Sequence, residues 1–186
     1  MQEKENVLDI LERTKKAVKE EDVIALKDLS NRTVHTASIN QDSDNIAVAV
    51  IVYSLSKLIE RKKYQEFKNW DSFFNRYMSC IDNAIKALKE DNLQNFRECI
   101  SEIRKEMNSL SGHLKNYIKD VFRKAQINKA SRIYEHGISM EQTAKLLGIS
   151  IWELAEYAGQ TGISDVNLSV TMPIKNRIKI AEDMFK

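Results

Sequence analysis

The sequence predicts an all-α protein: an N-terminal antiparallel helical bundle followed by a C-terminal region of short helices. Three observations lead there. A single proline and five glycines in 186 residues leave too few turn-forming residues for a strand-rich fold. Apolar residues recur at spacings of three and four almost throughout. The tripeptide Gly-Ile-Ser occurs three times, starting at Gly137, Gly148 and Gly162, and each copy couples a glycine able to close one helix with a serine able to cap the next.

The elements follow in order. Val7, Leu8, Leu11, Ala17 and Val18 line one amphipathic helix, and Val23, Ile24, Leu26 and Leu29 begin a second that continues to Val34 and Ala37. The polar run Asn40-Gln41-Asp42-Ser43-Asp44 is a loop that supplies acceptors for the next helix start. That next helix, Ile46 to Tyr53 continued by Leu55, Leu58 and Ile59, is apolar nearly all round and belongs at the centre of a bundle. Trp70, Phe73, Phe74, Tyr77, Ile81, Ile85 and Leu88 define a fourth helix whose aromatic stripe reads as core. Phe96, Cys99, Ile100, Ile103, Met107 and Leu110 define a fifth. The pattern resumes at Leu114, Tyr117, Ile118, Val121 and Phe122 after Ser109-Leu-Ser-Gly112, which is either a break or a feature inside one long helix. Cys80 and Cys99 fall on apolar positions without metal or redox spacing, so they read as buried free thiols.

A boundary at residue 125 divides the chain into a bundle, 1–125, and a C-terminal region, 126–186. Lys and Arg number 22 against 20 Asp and Glu before it, and seven against seven after it. Neither part has the basic excess of a dedicated nucleic-acid module. The longest apolar run, Ile46 to Tyr53, is far short of the roughly 18 residues of a membrane span, and no leader pattern opens the chain. A cytoplasmic location and no membrane partner are expected.

Ser139 is followed three residues later by Gln142, and Ser150 by Glu153, so both serines have the spacing of capping boxes. Between them, Met140 to Tyr157 resembles the helix-turn-helix motif, with Ala144, Gly148, Ile149, Leu154 and Tyr157 on the matching positions. The run Ala144-x-x-Leu-Gly-Ile-Ser-x-Trp-Glu-Leu154 is similar to small prokaryotic helix-turn-helix proteins, some of them antitoxin-like. The likeness covers about residues 127–163, and the helical N-terminal half resembles uncharacterised archaeal proteins. It implies a DNA-binding regulator or antitoxin-like protein, with duplex DNA as partner and the bundle serving dimerisation or a protein partner. The second helix departs from that pattern. It offers Trp152, Glu153, Glu156 and Tyr157 and no basic residue, where a reading helix presents Arg, Lys, Asn or Gln to base edges. The alternative is a helical interaction module whose helix-turn-helix does not touch nucleic acid.

Basic residues flank the motif. Lys115, Lys119 and Arg123 follow an i, i+4, i+8 row, with Lys124, Lys129 and Arg132 beyond it. Lys175, Arg177 and Lys179 decorate a last helix opened by Pro173. These nine are the expected phosphate contacts, with Trp152, Glu153 and Glu156 facing a groove or partner. Lys57, Arg61, Lys62 and Lys63 form a third cluster that reads as a solvated helix face. Val166 to Thr171 alternates strictly and predicts one short strand; a lone strand needs a partner edge, which suggests a homo-oligomer. His35, His113 and His136 lack metal-ligand spacing, and no glycine-rich phosphate loop or nucleophile elbow appears. No enzyme activity, cofactor or metal is expected.

Overall fold

A computed structural model describes residues 3–40, 42–62, 67–110 and 112–161. All-α is the class found: eight helices account for these residues, and no strand occurs among them. They are α1 (Lys4–Lys19), α2 (Val23–Asn40), α3 (Ser43–Arg61), α4 (Trp70–Lys89), α5 (Leu93–Ser109), α6 (Gly112–Glu135), α7 (Met140–Leu147) and α8 (Ile151–Thr161). The interruption at Ser109–Gly112 is a true break between α5 and α6. Leu110 turns to an extended conformation and Gly112 takes φ +59°. The boundary drawn at residue 125 falls inside α6, which runs through it unbroken. The third Gly-Ile-Ser, the segment 166–171 and the helix expected after Pro173 lie outside the described residues, as do Lys175, Arg177 and Lys179.

Three helix pairs are closed by the same turn. Beyond α1 the amide of Asp22 bonds Ala17 O at 2.8 Å, beyond α4 that of Asn92 bonds Ala87 O at 2.8 Å, and beyond α7 that of Ile149 bonds Ala144 O at 3.0 Å. Each is a six-to-one bond wrapped around one left-handed residue: Glu21, Asp91 or Gly148. The next helix then starts on a side-chain cap. Asp22 accepts from Ala25 N, Asn92 from Asn95 N, each at 2.9 Å, and Ser150 from Glu153 N at 3.2 Å.

α3 lies at the centre, contacted by α1, α2, α5, α6 and α7. Val48, Ala49, Val52, Leu55 and Leu58 are fully enclosed, and the aromatic stripe of α4 packs into the same core through Phe73 and Tyr77. Hydroxyls buried there are satisfied locally. Ser54 Oγ donates to Val50 O and Ser30 Oγ to Ala49 O, both at 2.7 Å, while Tyr77 Oη reaches Ile51 O at 3.2 Å. At the start of α3, Asp42 caps the helix by accepting from Asp44 N at 2.9 Å. Asp44 in turn receives a two-pronged Arg97 guanidinium from α5, at 2.9 to 3.1 Å. Cys80 and Cys99 are buried and free, and burial pushes the Cys80 thiol up to about 11. No helix among the described residues is long and apolar enough to cross a membrane.

Candidate functional site

The last three described helices make a compact unit in which α7 and α8 contact each other and both rest on α6. Gly148, at φ +65°, reverses the chain between them; a Cβ there would meet nothing within 4 Å, so the demand for glycine is conformational rather than steric. Ser150 and Glu153 complete a reciprocal capping box. Glu153 N donates to Ser150 Oγ at 3.2 Å, and Glu153 Oε2 accepts from Ser150 N at 3.0 Å and from its hydroxyl at 2.6 Å. Of the motif positions, Ala144, Ile149 and Leu154 are buried and form a seam between α7 and α8, with Leu147 and Ala158 buried alongside.

What the seam leaves outside is unusual. Trp152 is 84% exposed and Ile151 44% exposed, whereas the other tryptophan, Trp70, is 7% exposed and stacks on Phe74. Ala155, Glu156 and Gly159 continue the outward side of α8. An indole contributes a large apolar area, and nearly all of this one lies in solvent. Ser150 and Arg123 hold the Glu153 carboxyl down to about 2. Arg123 Nε donates to its Oε1 at 2.9 Å, so the first acidic residue of α8 is spent on capping and on anchoring the helix to α6.

The residues of the expected phosphate row differ in exposure and in partners. Lys119 is exposed and Lys115 half-buried. Arg123 is bound to Glu153, Lys124 Nζ lies 3.0 Å from Asp120, and Arg132 Nη1 lies 3.0 Å from Glu135. Lys129 must be withdrawn: it is 1% exposed, and a side chain so enclosed reaches no phosphate. The physical reason is helical phase. Lys129 follows Ala125 by four residues and precedes Ile133 by four, so it falls on the buried stripe of α6. Its Nζ donates to Asn31 Oδ1 at 3.0 Å and sits 4.1 Å from the centroid of the Tyr53 ring. Burial, aided by the charges of Arg132 and Lys57, pulls its pKa down to about 7.

Arg61 and Lys62 are exposed, as expected of a solvated face, and Lys57 is half-buried; Lys57 and Arg61 also line a cleft of about 570 Å³ between α3, α6 and α8, together with Tyr53, Lys124, Glu156 and Tyr157. The signal for it was present in the sequence as the four-residue steps from Tyr53 to Lys57 to Arg61, one row on α3. What the sequence does not reveal is that α8, a hundred residues on, forms the opposite wall. Among the described residues no three His, Cys, Asp or Glu side chains gather as a metal site would require. His35 and His136 meet edge to face with ring centroids 5.4 Å apart. Comparison with family models, with curated proteins and with solved structures found no match, so the likeness to helix-turn-helix proteins rests on the residues of α7, α8 and the turn between them.

Proposed function

We propose that this chain is a helical protein-interaction module that grips another protein through the outer side of α8. The observation that carries this reading is Trp152, 84% exposed on a helix that has no basic residue. Exposed aromatics rimmed by polar groups are the usual anchors of protein interfaces. The surroundings favour protein over DNA. Glu156 would repel phosphate, and Arg123, Lys124 and Arg132 are each beside a carboxylate. The fitting partner offers an apolar pocket for the indole and a basic group for Glu156. A photo-crosslinking residue at Ala155, installed in cells, tests it. Protein adducts that disappear with Trp152→Ala are expected; adducts indifferent to that change overturn the reading.

A DNA-binding regulator is the second reading, favoured by the short turn at Gly148 and by a buried seam that leaves one side of α8 outward, the disposition a groove-reading helix needs. Anisotropy of a labelled mixed-sequence duplex at low and moderate salt separates the two. If DNA is the target, replacing Lys119, Lys124 and Arg132 by Ala weakens binding on every sequence and flattens the salt slope by roughly one unit per lost phosphate contact.

A further inference from the structure

We propose that the cleft between α3, α6 and α8 binds a small organic anion, a carboxylate or phosphate carried on an aromatic body. The inference stands apart from the role of Trp152 and does not rest on it.

Charge decides the head group. On the α3 side Glu60 is shared by Lys27 at 2.6 Å and Lys57 at 2.7 Å, and on the α6 side Asp120 is shared by Arg61 at 4.0 Å and Lys124 at 3.0 Å. Of these cations Lys57, Arg61 and Lys124 line the cleft, whereas Lys27, on α2, does not. The α8 wall supplies little to offset this. Glu153 is bound by Arg123, which leaves Glu156, itself accepting from Gln160 Nε2 at 3.2 Å. The lining itself carries three cations, Lys57, Arg61 and Lys124, against Glu153 and Glu156, and with Glu153 already bound by Arg123 a guest anion adds counter-charge in a concave site where solvent screens it less than on an open surface.

Shape and lining decide the body. Tyr53 and Tyr157 give the cleft ring surface from α3 and α8, and Val121 and Ile127 from α6 give it aliphatic surface. A volume of about 570 Å³ lies in the range of small-molecule sites, roughly 300–1,000 Å³. An inorganic anion alone leaves that apolar lining wet, and an aromatic cation meets the wrong charge.

The test titrates the full chain with phenyl phosphate, phenylacetate, inorganic phosphate and benzylamine, followed by calorimetry or amide chemical shifts. At least one aromatic anion saturates at low-millimolar concentration or below, with the tighter of the two naming the head group. Inorganic phosphate binds about tenfold more weakly for want of the ring contacts. Benzylamine does not saturate. The double variant Arg61→Gln, Lys124→Gln weakens the aromatic anion roughly fivefold or more, at an unchanged melting temperature, because both side chains are partly solvated. Tyr157→Leu weakens the aromatic anions and leaves inorganic phosphate unaffected. Trp152→Ala leaves every titration as it was. Benzylamine binding as tightly as phenylacetate, full affinity in the double variant, or no saturation by either aromatic anion overturns the proposal.

Discussion

α3 and α8 are both rich in apolar residues, yet α3 is surrounded by α1, α2, α5, α6 and α7 and also bonded by Tyr77 of α4, whereas α8 rests chiefly on α6 and α7. On α3 even Ser54 and Ser56 are buried, and the residues that break the apolar run are absorbed by hydrogen bonds inside the core. On α8 the buried side is complete with Leu154 and Ala158, and the largest side chain points the other way. The comparison teaches that apolar content does not itself report a role in stability. What counts is how many elements surround the helix, and Trp152 adds almost nothing to the packing that holds its own helix in place.

The largest effect expected is at the centre. Leu55→Ala opens a void on a fully enclosed side of α3 and should cost roughly 2–5 kcal/mol in chemical denaturation. A cost below about 1 kcal/mol would place α3 nearer the surface and erase the contrast with α8.

Next comes Lys129, a polar intrusion into the side of α6 that faces α3. The folded chain sheds its proton near pH 7, whereas the unfolded chain keeps it to about 10.5. Unfolding between those values takes up a proton, so the folded state gains stability as pH rises through that window, by at most about 1.4 kcal/mol per pH unit. From pH 9 upward the Cys80 thiol opposes this, since the folded chain holds that proton up to about 11 while the unfolded chain loses it. The clean measurement is therefore denaturation of wild type and Lys129→Met between pH 7 and 9. The advantage of the methionine variant should shrink across that range; an advantage independent of pH would refute the depressed amine.

A smaller effect is expected at the turn. Gly148→Ala places a side chain at φ +65° where nothing obstructs it, so the loss should be the left-handed backbone cost alone, roughly 1–2 kcal/mol. The same turn at α1 and α4 is built on Glu21 and Asp91, which already bear that cost. A neutral Gly148→Ala would mean that α8 does not depend on its turn. The smallest change in stability is expected for Trp152→Ala, within about 0.5 kcal/mol. Iodide should quench most of the emission of Trp70→Phe, which reports Trp152, and little of that of Trp152→Phe, which reports Trp70. Equal protection of the two indoles would remove the surface on which the proposed partner contact depends.

The helices, their order and several of their ends were legible because each signal acts within a few residues. Gly148 and the Ser150–Glu153 box form one reciprocal set of bonds whatever the rest of the chain does, and the apolar phase of α3 marks it for a centre before any neighbour is known. The seam of Ala144, Ile149 and Leu154 was readable for the same reason, since a short turn leaves two helices few ways to meet. Charge was another matter. Lys115 to Arg132 looks like a continuous basic row on paper, but whether a lysine is solvated depends on which side of α6 faces α3, and that placed Lys129 inside. The partners of the others, Glu153 for Arg123 and Asp120 for both Arg61 and Lys124, include contacts across helices. The cleft is wholly a product of tertiary structure. Tyr53, Lys124 and Tyr157 lie on three different helices, and only the packing of α8 against α6 beside α3 brings them to one space. Local hydrogen bonding and apolar phase are written residue by residue, whereas burial, charge pairing and concavity belong to surfaces that exist once the helices have met.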